Sequence, residues 1–166
     1  MSHTNNPSLE LAQVCWVVPD INAAVKFLES TLGIAGFHPV QHIRAQDINM
    51  SYYDKIVPGE WLTTQTYNGI FMELVQPLSG QSMFHDYLAQ YPAGGIQHHA
   101  FRLPVSGFEK KTSELREQGY ALMSEVDHPI ARMAFFDTYQ TLGVATEITG
   151  VTPEGWDVLK QMEAAR

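Results

Sequence analysis

The chain is poor in cysteine, poor in basic residues, and free of long apolar runs. Cys15 is the single cysteine, which excludes an intramolecular disulfide framework and any Cys-based zinc knuckle. Lysine and arginine number 10 against 18 acidic residues, giving a formal net charge of -8. That balance opposes non-specific attraction to nucleic acid or to an anionic lipid surface, and no basic cluster reverses it. No apolar stretch reaches membrane-spanning length, and the polar opening MSHTNNPSLE does not read as a leader. These absences point to a cytoplasmic globular protein that binds neither nucleic acid nor membrane. The 166 residues, 45% of them hydrophobic, suffice for one well-buried core.

What is present is a repeat. Residues 11–20, LAQVCWVVPD, form a β-rich apolar run ending at Pro19, which forces extended geometry on the residue before it. Asp20 is placed to cap a helix reaching Leu32, with Ile21, Val25, Leu28 and Leu32 on one stripe and Gly33 past its end. The scheme recurs at 97–119. QHHAFRLP is a strand ending at Pro104, Ser106 and Glu109 have capping-box spacing, and Gly119 closes the helix. Pro19 follows Gln13 by the same interval as Pro104 follows His98. Further strands are expected at 36–43, 60–67 and 69–75, and again at 120–125, 132–138 and 143–149. The last of each trio matches once more, GIFMELV against GVATEIT.

The expected fold is therefore α+β, with two tandem β-α-β-β-β modules whose sheets curl into a cup. The first module spans 9–77 and the second 95–150. A helix at Ser82–Gln90 and a PAGG linker fill 78–94, and a terminal helix begins at Thr152 within 151–166. Residues 46–60 read equally as strand or loop.

Four polar side chains interrupt apolar strands at equivalent places in the modules: Gln13, Glu73, His98 and Glu147. Each alone has an ordinary explanation, a solvent-facing glutamine or an edge-strand charge. Together they do not, because two buried carboxylates at related positions require a cation or a shared proton. A divalent metal would supply it. An imidazole, an amide oxygen and two carboxylates suit zinc, nickel, cobalt, manganese or iron, with positions left open for substrate. Arg102 shares the strand face of His98, so it either meets an anionic substrate group or snorkels at the sheet edge. Cys15 lacks a paired base and reads as a buried thiol.

The sequence resembles the vicinal oxygen chelate superfamily, which includes glyoxalase I, methylmalonyl-CoA epimerase, extradiol dioxygenases and bleomycin-resistance proteins. The carriers are QVCWVVPDINAAVKFLESTLG, MELVQPLSGQS, AGGIQHHAFRLP and DTYQTLGVATEI, and their order looks most like the epimerase branch. The resemblance implies metal ligation by Gln13, Glu73, His98 and Glu147. Glu73 and Glu147 would be the proton-transfer groups of an isomerase, epimerase or glyoxalase-like lyase acting beside a carbonyl, the metal chelating an enediolate. It also implies a homodimer and a small-molecule substrate such as an acyl-CoA, another thioester or a 2-oxo compound. Two departures stand out. Gln13 occupies a place where epimerases carry histidine, and Val17 one where glyoxalase I carries a glutathione-binding arginine. The other readings are a non-catalytic small-ligand binder and a ring-cleaving dioxygenase.

Overall fold

The computed structural model describes residues 8–165. The polar opening read above as no leader lies almost wholly outside them. Strand β1 (Glu10–Val17) leads to helix α1 (Ile21–Ser30), then β2 (Gln41–Arg44), β3 (Gly59–Tyr67) and β4 (Phe71–Gly80). After helix α2 (Met83–Gln90) the order repeats as β5 (Gly95–Pro104), α3 (Phe108–Glu117), β6 (Leu122–His128), β7 (Ala131–Phe136) and β8 (Ala145–Val151). A one-turn helix α4 (Tyr139–Leu142) precedes β8, and α5 (Pro153–Ala164) closes the chain. No helix among the described residues is long and apolar enough to cross a membrane.

All eight strands form one sheet in the order β2-β3-β4-β1-β5-β8-β7-β6. The second half mirrors the first about the β1–β5 seam. β1 runs parallel to β4, β5 runs parallel to β8, and β1 meets β5 antiparallel. A parallel pair needs a crossover, and in each module the helix and the two outer strands provide it. The result is a curled half-barrel whose four central strands are β4, β1, β5 and β8. Register shifts on β1, between Leu11 and Gln13 and between Cys15 and Trp16, locally increase its twist at the seam.

Capping sets the helix starts. Asp20 Oδ1 accepts from Ala23 N at 3.0 Å, as its position after Pro19 predicts. Asp20→Ala should cost about 1 kcal/mol, read as a lower urea midpoint with an unchanged m-value. The capping box expected at Ser106 and Glu109 does not form. Residues 105–107 make a tight 3-10 turn, α3 begins at Phe108 without a side-chain cap, and Glu109 instead pairs with Arg132. Leu32, expected on the buried stripe of α1, is 55% exposed because the helix ends two residues earlier.

The strand expected at 36–43 is shortened to β2, since Pro39 has no N–H for a ladder and Gly36 turns the chain at φ 84°. Residues 45–58 settle the ambiguous stretch as a loop with one 3-10 turn. This loop reaches across the half-barrel to the far edge. Ser51 N donates to Glu125 O, Tyr53 N to Met123 O, and Ser124 Oγ to Ser51 O. The edge of β6 is thereby covered and the open side of the cup gains a wall.

Two apolar clusters hold the sheet. One, with Cys15, Trp61, Val75, Met83, Phe84, Val126 and Phe135, surrounds the site described below. The other, with Leu103, Phe108, Ala134, Phe136 and Ile148, lies under α3. Gly150 allows that second contact: a Cβ there would lie 2.7 Å from Phe108 Cβ.

Candidate metal centre

The four polar residues singled out in the sequence sit one on each central strand: Glu73 on β4, Gln13 on β1, His98 on β5 and Glu147 on β8. Side chains alternate across a strand, so one face of this four-strand core can present all four inward. They line the floor of a single cavity of about 610 Å³.

His98 organises the site. It is 1% exposed, and its Nδ1 lies 2.6 Å from Gln97 Oε1. Gln97 is itself fully buried and donates through Nε2 to Tyr139 Oη at 3.0 Å, which leaves Oε1 to accept from the imidazole. A proton held on Nδ1 in this way turns the lone pair of Nε2 toward the cavity. Nε2 lies 3.1 Å from Glu147 Oε2 and 3.8 Å from Glu73 Oε2, yet makes no hydrogen bond. Buried polar atoms without partners are rare in folded proteins, so this one marks a place built for something else.

The carboxylates are oriented as carefully. Glu147 is 4% exposed and accepts at Oε1 from Thr149 Oγ1 at 2.7 Å, its Oε2 remaining free to face His98. Glu73 accepts at Oε1 from Thr63 Oγ1 at 3.1 Å and at Oε2 from the Gln13 amide. Burial pushes the Glu73 carboxyl up, the His98 imidazole opposes that shift, and the Glu147 charge adds to it. Two carboxylates converging on one imidazole nitrogen repel each other unless a cation or proton lies between them. Gln13 presents N–H to Glu73 in this orientation; turned about its last torsion, the same amide presents oxygen.

The donor set fits a borderline divalent cation: one imidazole nitrogen, two carboxylates and one amide, with Thr63, Thr149 and Gln97 behind them. Cys15 adds a thiol that sequence reasoning set aside as plain core. It is in register with both Glu73 and His98, and ligand atoms of the three lie within 4.8 Å of one another. Burial, then the Glu73 charge, pushes the thiol well above the usual range, so it stands there as a neutral, fully buried S–H.

Arg102 is placed elsewhere. It shares the strand face of His98, but four residues along β5 that face passes beneath α5. There the guanidinium pairs with Glu163 at 2.7 Å and Glu10 at 3.0 Å, and lies over the Trp156 ring. It does not line the cavity. His99 points to the opposite side and is half-buried. Gln97 and His128 had no role assigned from the sequence, whereas the Asp47–Met50 segment falls within residues 44–66, which were expected to shape the pocket and do line it. Gln97 carried a signal, a second amide inside an apolar strand. The others line the cavity only because the 45–58 loop and the β6–β7 hairpin fold over it.

The walls are aromatic and apolar. Trp61 packs against Phe84 with ring centroids 5.2 Å apart, and Phe135 meets the His98 ring edge-on at 5.2 Å. Met50, Val126 and Met133 continue this surface toward the mouth.

The family model for the Glyoxalase/Bleomycin resistance protein/Dioxygenase superfamily matches residues 12–135. A search of curated proteins finds no match. Among solved structures, a methylmalonyl-CoA epimerase from Mycobacterium tuberculosis superposes with a TM-score of 0.59 at 21% identity, covering 93% of this chain and 95% of that one. A Streptomyces coelicolor methylmalonyl-CoA epimerase in complex with 2-nitronate-propionyl-CoA gives a TM-score of 0.60 at 19% identity, covering 87% and 99%. A hypothetical protein from Bacillus halodurans C-125 gives 0.60 at 20% identity, covering 86% and 94%. At these identities the likeness is one of fold.

Proposed function

The chain belongs to the glyoxalase/bleomycin resistance protein/dioxygenase superfamily, and from that membership and the site's geometry we propose a metal-dependent isomerase, epimerase or glyoxalase-like lyase. The reaction is removal and return of a proton on carbon next to a carbonyl. One observation carries the reading: the buried, unpartnered Nε2 of His98, faced by Glu147 and Glu73 at the floor of a ligand-sized cavity.

Gln13, Glu73, His98 and Glu147 would hold the cation, and zinc, nickel, cobalt, manganese and iron all suit that set. When bound, it would supply Lewis-acid stabilisation of the negative charge that develops on substrate oxygen as the proton leaves. The remaining work falls to the protein. Glu73 and Glu147 approach from opposite modules, so one carboxylate accepts the carbon-bound proton and the other delivers one. Thr149 holds Oε1 of Glu147 and leaves Oε2 facing His98, while Thr63 and the Gln13 amide hold the two oxygens of Glu73. The Trp61, Phe84 and Phe135 rings exclude water, which strengthens every charge interaction inside.

The test is elemental analysis of protein purified without an immobilised-metal column. We expect about one ion per chain in the native protein and under about one-tenth in His98→Ala, since loss of even an outer-shell partner costs about 10–100-fold in metal affinity. A wild type that stays metal-free after incubation with each of the five metals removes the catalytic reading and leaves the non-catalytic binder. Oxygen consumption with iron would instead indicate ring cleavage.

A further inference from the structure

The charges around the cavity narrow its substrate. Resting on the function proposed above, we infer that the site takes a compact, uncharged α-hydroxycarbonyl compound with an apolar arm, and not a polyanionic coenzyme A or glutathione thioester. Two further carboxylates, Asp47 and Asp127, join Glu73 and Glu147 along the lining. A divalent cation offsets only two of those four charges. The basic lining groups are the imidazoles of His98 and His128, and among the described residues no lysine or arginine lines the space.

Among the described residues, every arginine already faces a carboxylate. Arg44 pairs with Glu60, Arg102 with Glu10 and Glu163, and Arg116 with Glu125. Arg132 stands opposite Asp127 in the β6–β7 ladder, but its guanidinium turns outward to Glu109 and Glu125 and lies 4.5 Å over the Phe108 ring. Phosphate and carboxylate recognition relies on such cations, above all on bidentate arginine. A chain of net charge -8 adds long-range repulsion to their local absence.

The groups that are present suit a neutral ligand. Gln41, Thr63, Gln65 and Asn49 offer amide and hydroxyl partners between the floor and the mouth. They satisfy hydroxyls and carbonyls without a charge. Trp61, Met50, Met133 and Phe135 supply an apolar wall, and a cavity of about 610 Å³ is of small-molecule size.

Two probes test this on the wild-type protein with its metal content measured beforehand: 2-hydroxyacetophenone, a neutral α-hydroxyketone, and methylmalonyl-CoA. Titration calorimetry should show the ketone binding at least about tenfold more tightly, the size of effect expected of unpaired like charges. NMR in deuterated water should show its α-carbon protons replaced by solvent deuterons, with one C–H bond broken and one C–D bond formed per event. The double charge reversal Asp47→Lys with Asp127→Lys, both exposed positions, should raise thioester affinity about tenfold and leave the ketone within about twofold. Tighter thioester binding by the wild type, or binding of neither probe, overturns the inference. Absence of metal in the same samples overturns the metal reading instead, because the preference between the two probes follows from the fixed lining charges.

Discussion

Glu147→Gln is expected to abolish α-proton exchange and most metal retention while leaving the fold standing. The change keeps the side chain's shape and its hydrogen bond with Thr149, and removes only the charge that faces His98 Nε2 at 3.1 Å. Loss of a positioned proton-transfer group costs about 10²–10⁴ in rate, and a weakened metal site adds to that. Stability moves the other way. In the metal-free protein Glu147 raises the carboxyl of Glu73 by like-charge repulsion, so neutralising it should hold or raise the melting temperature at neutral pH. Elemental analysis, deuterium exchange and a melt in chelator distinguish this from general damage. Unchanged metal content would contradict the assignment, and a lower chelated melting temperature would mean that Glu147 supports the fold.

Phe108→Ala should give the largest stability loss, about 3–5 kcal/mol, the range for truncating a buried aromatic. Phe108 is 1% exposed, begins α3, and fills the second core cluster against Leu103, Phe136 and Ile148. Its Cβ lies close enough to Gly150 that no side chain fits between helix and sheet, so the neighbourhood has little freedom to collapse. For a chain of this length the loss corresponds to a fall of roughly 10 °C in melting temperature. Phe108→Leu should lose under about half as much, because volume is better conserved. An alanine variant within about 1 kcal/mol of wild type would show that α3 is held mainly elsewhere.

The modular plan was readable because local signals agreed with each other. Pro19 and Pro104 end corresponding strands, Asp20 caps where a cap is needed, and the apolar runs before and after have the right lengths. Where two local options competed, the chain alone could not choose. Ser106 and Glu109 have capping-box spacing, yet a 3-10 turn at 105–107 takes up the helix start and Glu109 goes to Arg132. The 45–58 loop is a stronger case, since its conformation depends on hydrogen bonds to Met123 and Glu125 far along the chain.

The chain alone carries the acidity of the whole molecule and the alternation that puts Gln13, Glu73, His98 and Glu147 on apolar strands, because side-chain period is local and the module repeats. Folding in three dimensions was needed to bring Glu73 and Glu147 onto Nε2 of His98, to set its tautomer through Gln97, and to stand Cys15 beside it. It equally decided that α5 takes Arg102 away from the cavity and leaves carboxylates, not cations, around the mouth. Those outcomes depend on how a curled sheet brings distant strands and loops together. That curvature is a property of the assembled eight strands, which no single segment carries.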